Sequence, residues 1–233
     1  MKLGIIGAMD VEVASLKERM ENPAVTVKAG MEFCEGVLEG VPAVIVQCGI
    51  GKVNAAMCAQ ILCSGFEVTH LVNTGIAGSL LAALDIGDLV ISQDAIHHDF
   101  DLRFWGRPIG QVPGMDVTAF PADETMIKLA FAAAEAVNPG HTRIGRVASG
   151  DQFICSKEQK ERIIADTQGI CAEMEGASIA HAAYRNGIPF VIIRAISDKA
   201  DDSAEMDYPT FEAIAAQRCA QVTVNLAKML REA

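Results

Sequence analysis

The sequence predicts an α/β fold built on a mixed, largely parallel central sheet. Two patterns and one bulk property carry that expectation. Short apolar, β-branched runs recur along the chain and end in glycine. Stretches with apolar residues at i, i+3 and i+4 follow several of them, which is the spacing of an amphipathic helix. Alternation of this kind specifies buried strands covered by helices. The chain has 233 residues, 51% of them hydrophobic, which suits one domain over 1–233 with a sizeable core.

In chain order, "KLGIIG" (2–7) reads as a strand leading into the helical "MDVEVASLKERM" (9–20). "FCEGVLEGVPAVIVQCG" (33–49) reads as a hairpin, which makes the sheet mixed, and its second arm leads into the helical "GKVNAAMCAQILCSG" (51–65). "THLVNTG" (69–75) is a strand running into "IAGSLL" (76–81). Helices are expected at about 125–138 and 157–166. "QGICAEM" (168–174) leads into the helical "EGASIAHAAYRNG" (175–187), and "PFVIIRAIS" (189–197) runs into an acidic loop at 198–207. A helix over about 208–231 completes the chain.

Net charge is −11, so the surface repels nucleic acid and anionic membranes. No apolar run approaches the ~18 residues of a membrane span. The apolar start is broken by Asp10 and Glu12, too early for a signal segment. Seven cysteines without a CxxC pair read as buried free thiols in a reducing cytoplasm.

In open α/β folds ligands bind beyond the carboxyl ends of strands. The residues there are Met9 and Glu12, Gly49 to Gly51 with Ile50, Thr74 to Gly78, Ser149 to Ile154, Glu173 to Glu175, and Ser197-Asp198. Carboxylates are rarely buried without partners, so the pair Glu173 and Glu175 in "CAEMEGASIAHAAY" calls for an explanation. Glu175 falls at a strand-to-helix junction, where a helix N-terminus favours negative charge.

Four familiar motifs fail. "GIGK" (49–52) lacks the first glycine and the Ser/Thr of a P-loop, and the same stretch lacks the last glycine of a dinucleotide fingerprint. "GASIA" (176–180) resembles a nucleophile elbow around Ser178, but no histidine follows an acid in the required order. "HHDFD" (97–101) places neighbouring residues on opposite strand faces, and no second cluster supports a metal. "SGDQFI" (149–154) offers Phe153 as a stacking face for a planar base.

Taken as an ordered set, "GIIGAMDVEV", "CGIGKVNAA", "NTGIAG", "HHD", "GQVPG", "SGDQFI", "AEMEGASIAH" and "RAISDKAD" resemble the bacterial methylthioadenosine/S-adenosylhomocysteine nucleosidases, within the purine nucleoside phosphorylase superfamily. The resemblance runs nearly end to end. It implies a three-layer α/β/α homodimer that hydrolyses an N-glycosidic bond to release adenine, without metal or cofactor. It further implies Glu12 as general base on water and Asp198 as proton donor toward purine N7. Glu175 would bind the ribose hydroxyls, Met174 would lie along the sugar, and Arg194 would place the water and carboxylates. Phe153 would stack on adenine, the Ile154 backbone would read its edge, and Gly78, at the end of the Thr74 to Gly78 segment, would join the substrate-binding residues. Met9, Ile50 and Tyr208 would line the sugar and 5′-thio end, and Leu102, Trp105 and Pro113 would reach the partner subunit's pocket. The alternatives for this chain are an aminodeoxyfutalosine nucleosidase, a purine nucleoside phosphorylase, and a noncatalytic nucleoside-binding protein.

The chemistry asks for the same set. Adenine leaves poorly as an anion, so an acid must engage N7, and each positioned acid or base contributes roughly 10²–10⁴-fold. A free aspartate titrates near ~3.9, so Asp198 must be buried or paired to hold a proton. The sugar becomes an oxocarbenium-like cation as the bond breaks, which nearby carboxylates stabilise more than the neutral substrate. A phosphorylase needs cations for phosphate, whereas Asp10-Val11-Glu12 and "NTGIAG" supply no arginine, which favours hydrolysis. Two departures from the family pattern stand out. Ile76 occupies a position where many relatives carry serine, and the gate "HHDFDLRFWGRPIG" contains Arg103 and Arg107, cations able to meet a carboxylate on the 5′ substituent or only solvent.

Overall fold

The computed structural model of the chain describes residues 1–201 and 204–232. Its elements follow in the order β1 (Leu3–Gly7), α1 (Asp10–Glu18), β2 (Glu21–Lys28), β3 (Met31–Leu38), β4 (Val41–Gln47), α2 (Lys52–Gly65), β5 (His70–Ser79) and β6 (Leu89–His97). After a single 3-10 turn at Arg103–Trp105 come β7 (Phe120–Pro121), α3 (Glu124–Val137), β8 (Thr142–Ser149), α4 (Lys157–Thr167), β9 (Cys171–Glu173), α5 (Gly176–Asn186), β10 (Phe190–Asp198) and α6 (Ala204–Glu232).

The strands lie in the order β10, β6, β8, β9, β5, β1, β4, β3, β2. Parallel pairs β4–β1, β1–β5 and β5–β10 form the centre, and the β3–β4 hairpin adds antiparallel strands at one edge. Strand β10 also pairs antiparallel with β6, β6 and β9 flank β8 in parallel, and β9 pairs antiparallel with β5. Those contacts close β5, β10, β6, β8 and β9 into a circuit, so several strand ends are gathered around one point.

The strand period of two sorts side chains into two cores. On one face Ile5, Ile45 and Ile193 pack beneath α1, α3 and α6, through residues such as Leu16, Ala130 and Val222. On the other, Ile6, Val44 and Ile192 pack beneath α2 and α5, through Leu62, Ala59 and Ile179. The result is the three-layer α/β/α arrangement, with both parallel and antiparallel strands. A smaller cluster seats α4 through Ile163 against Leu80, Ile96 and Ala148.

Some boundaries differ from the sequence reading. Strand β5 does not end at Gly75 but continues to Ser79, with β9 and β10 as its partners. Strand β2 was not expected from "ENPAVTVK", since its asparagine and proline argue against a strand; it survives at the sheet edge, pairing only with β3 and exposed along most of its length. Strands β6 and β8 also escaped the motif pass. Helix α6 starts at Ala204, four residues early, and residues 202 and 203 of the expected acidic loop lie outside the described residues. No helix among the described residues is long and apolar enough to cross a membrane. Five of the seven cysteines are buried and all are free.

Leu62 is fully buried between α2 and the sheet. Leu62→Ala is expected to destabilise the chain by about 2–5 kcal/mol, read as a lowered urea midpoint. Val25→Thr on the exposed edge strand should stay within about 0.5 kcal/mol of the parent.

Candidate active site

A cavity of about 480 Å³ opens where the ends of β1, β5, β8, β9 and β10 meet. Ten of the residues singled out in the sequence line it: Met9, Glu12, Ile50, Gly78, Phe153, Ile154, Met174, Glu175, Asp198 and Tyr208. Glu173, Gln152, Ile76 and Ser197 line it as well. Among the described residues no lysine or arginine does.

Glu12 stands in the first turn of α1, directly beyond β1. Its Oε2 accepts from the backbone N–H of Ala8 (2.7 Å) and of Met9 (3.0 Å), and its Oε1 accepts from the N–H of Ile76 (3.1 Å). The approach to β5 depends on Gly75, since a Cβ there would lie 2.4 Å from Glu12 Oε1. The position 76 side chain is apolar, but the contact that fixes Glu12 is made by its backbone. Burial raises the Glu12 carboxyl above its ordinary range, against the pull of Arg194 and the three N–H donors.

The two glutamates that opened the question divide the labour. Glu173 ends β9, and its Oε2 accepts from the N–H groups of Glu175 (3.2 Å) and Gly176 (2.7 Å), at the start of α5. It also accepts from Ser149 Oγ and from Arg194 Nη2. Ser149 Oγ in turn accepts from the N–H of Ala177 (2.7 Å). Glu173 and Ser149 thereby satisfy N–H groups that a helix start leaves without partners. Glu175, the N-cap residue, is released from that duty: its side chain makes no capping bond and turns to the N–H of Gly51 (2.7 Å). Burial, with the Glu173 charge adding to it, pushes the Glu175 carboxyl up to about 8.

Arg194 does not line the cavity. It lies 2% exposed behind the wall, paired with Glu173 and with Asn73 Oδ1. Burial opposes its charge, but Glu173 and Glu12 outweigh burial and hold the guanidinium firmly protonated. Asp198 closes β10 at 2% exposure, with Oδ2 accepting from Ser197 Oγ (2.8 Å) and Oδ1 from the N–H of Ala200 (2.8 Å). Gly78 is the neighbour that admits it, since a Cβ there would come within 2.7 Å of Asp198 Oδ1. Phe153 and Tyr208 meet edge to face, with centroids 5.6 Å apart, and the Tyr208 hydroxyl reaches Met9 Sδ (3.3 Å) and Glu212 Oε1 (3.2 Å).

The gate residues sit elsewhere. Leu102, Trp105 and Pro113 do not line this cavity; Trp105 is 69% exposed and its neighbour Phe104 96%. Arg103 is engaged by Asp101 (2.7 Å) and Asp166 (3.4 Å). In "HHDFD", His97 packs near Phe120 and His181, while His98 lies against Gly150. Asn73 as a partner of Arg194 and Ser149 as a partner of Glu173 leave no trace in the sequence, because side chains that bind other side chains carry no spacing signal.

A family model described as the phosphorylase superfamily matches residues 2–228. The chain is 41% identical over 233 residues to the 5′-methylthioadenosine/S-adenosylhomocysteine nucleosidase of Geobacillus kaustophilus (strain HTA426), covering all of this chain and 99% of that protein. It superposes with a TM-score of 0.94 on the nucleosidase of the same name from Neisseria meningitidis in complex with methylthio-immucillin-A, at 35% identity, covering 98% of this chain and 99% of that one. A structure described as the futalosine hydrolase of Helicobacter pylori strain 26695 is also similar, with a TM-score of 0.93 and 31% identity over 98% of both chains.

The raised Glu175 carboxyl makes stability depend on pH. The folded state holds a proton that the unfolded chain, titrating near 4.5, releases earlier. That contribution is full below about 4.5 and is lost as pH rises toward about 8. Glu175→Gln is therefore expected to lose less stability than the parent between pH 5 and pH 8, measured from urea midpoints across the range.

Proposed function

The chain belongs to the phosphorylase superfamily and, within it, to the 5′-methylthioadenosine/S-adenosylhomocysteine nucleosidases, and from that premise we infer that it hydrolyses the N-glycosidic bond of those two nucleosides. The products are adenine and the 5′-thioribose. One observation carries the choice of water over phosphate as nucleophile. The cavity is walled by carboxyl groups and, among the described residues, by no lysine or arginine. A phosphate dianion would meet Glu12, Glu175 and Asp198 with no cation to receive it, whereas water and a developing sugar cation suit those groups.

In the reading proposed here, Phe153 stacks on adenine and the Ile154 backbone meets its edge. Asp198 delivers a proton toward N7, so that adenine leaves neutral. Glu12 takes the proton of the attacking water; its raised pKa suits a base working near neutrality. Glu175 engages the ribose hydroxyls and, once ionised, faces the positive charge that grows at C1′. Met174 lies along the sugar, and Met9, Ile50 and Tyr208 surround the 5′-thio group. Arg194 acts from behind the wall by holding Glu173 and offsetting the charge of Glu12 and Glu175.

We further propose that residues 1–233 form a single domain and that the enzyme works as a cytoplasmic homodimer in methionine salvage, with no nucleic acid or membrane partner. The exposed Phe104 and Trp105 support an interface there, with Leu102, Trp105 and Pro113 meeting the 5′ end of the partner subunit's substrate.

Purified protein given methylthioadenosine is expected to release adenine and methylthioribose at the same rate with and without inorganic phosphate, followed by mass spectrometry. Phosphate-dependent formation of a sugar 1-phosphate would overturn the hydrolase. Asp198→Asn and Glu12→Gln are each expected to lower kcat by about 10²-fold or more, with the folded circular dichroism spectrum retained.

A further inference from the structure

Two charged residues that the proposed chemistry leaves unused, Lys52 of "GIGK" at 49–52 and Asp99 of "HHDFD" at 97–101, meet in space. Lys52, the first residue of α2, pairs through Nζ with Oδ1 of Asp99. The other Asp99 oxygen, Oδ2, accepts from the backbone N–H of Asp151 (2.9 Å). Asp151 completes the ring, since its Oδ1 accepts from the backbone N–H of Lys52 (2.8 Å). Three contacts thus close the segments 49–52, 97–101 and 149–154 on one another. The Lys52 and Asp99 side chains are 20% and 18% exposed, and neither lines the substrate cavity.

Two of the clasped segments are cavity walls, supplying Ile50 on one side and Phe153 and Ile154 on the other. Gly51, adjacent to Lys52, donates its N–H to Glu175 Oε1. Gly51 has φ +99°, and a Cβ there would lie 3.1 Å from Asp151 Oδ1. Glycine therefore allows the close approach of the two loops, but it also leaves the first loop free to rearrange. Something must hold it. An ion pair on a plain surface adds little, but here Asp99 also binds the backbone of one cavity loop, and Lys52 extends from the other.

We propose that Lys52 and Asp99 are positioning residues for the reaction: their clasp holds the Gly51 N–H on Glu175 and Phe153 at the base site without touching substrate. The inference rests on the nucleosidase reading above. Lys52→Met and Asp99→Asn are each expected to raise KM for methylthioadenosine about tenfold while kcat falls less than about threefold. Lys52→Arg should recover most of the loss, and the double variant should be no worse than the worse single one, as for residues acting as one unit. Amide hydrogen exchange provides a readout independent of turnover. Either single variant should speed exchange in both 49–54 and 149–154, with the rest of the chain unchanged.

Unchanged KM in both single variants, or additive losses in the double variant, would overturn the proposal. So would exchange that rises only in the loop next to each substitution. If the parent protein releases no adenine, the nucleosidase reading fails, and the exchange experiment still decides whether the clasp orders both loops.

Discussion

The buried pair between Arg194 and Glu173 is the constraint on which the rest of the site depends. Among the described residues Arg194 is the only buried lysine or arginine. Withdrawing both charges from water costs several kcal/mol each, and removing one partner of such a pair typically costs about 3–5 kcal/mol. The fold meets that cost with further bonds. Arg194 Nη1 donates to the Ile193 carbonyl (3.0 Å), Asn73 accepts from Nη2, and Asn73 Nδ2 donates to the Ile6 carbonyl (2.9 Å). Arg194 on β10 is thereby tied to β5 and β1, and through Glu173 to β9 and the start of α5.

The pair also sets the charge balance. Glu173 takes the one buried cation and caps α5, which leaves Glu12, Glu175 and Asp198 facing the cavity. Burial lifts Glu12 and Glu175 toward their protonated forms. The same desolvation makes these groups respond strongly to a positive charge appearing beside them. A neutral nucleoside draws little on this field, and an oxocarbenium-like sugar draws on it fully, which is the differential stabilisation that accelerates a reaction. Backbone N–H groups, not flexible side chains, hold Glu12, so little reorganisation accompanies the chemistry.

Much of this was legible in the sequence because it sits at strand ends. Glycine-bounded apolar runs located β1, β4, β5, β9 and β10, and the residues at or just beyond their ends include, among the described residues, every carboxyl group that lines the cavity. The hairpin at 33–49 and the helices α3 and α4 fell where periodicity placed them. What escaped was set by tertiary pairing. "IAGS" is strand because β9 and β10 flank it, and "ENPAVTVK" is strand because β3 offers an edge. Glu173 could be placed beside the site but not recognised as the cap of α5, since its partners Ser149 and Arg194 are 24 and 21 residues away. The motifs "GIGK" and "HHDFD" failed as phosphate and metal signatures, and their charged residues instead joined each other across the fold.

A site of this charge should favour a positive sugar over a neutral one. The direct test is calorimetric binding of two 5′-methylthio adenine nucleoside analogues, one with a protonated pyrrolidine in place of ribose and one with a neutral cyclopentane. The cation is expected to bind at least about 10²-fold more tightly, as transition-state analogues do. Equal affinity for the two would contradict it, because the carboxyl groups around the cavity would then contribute nothing to stabilising the charge that the reaction creates.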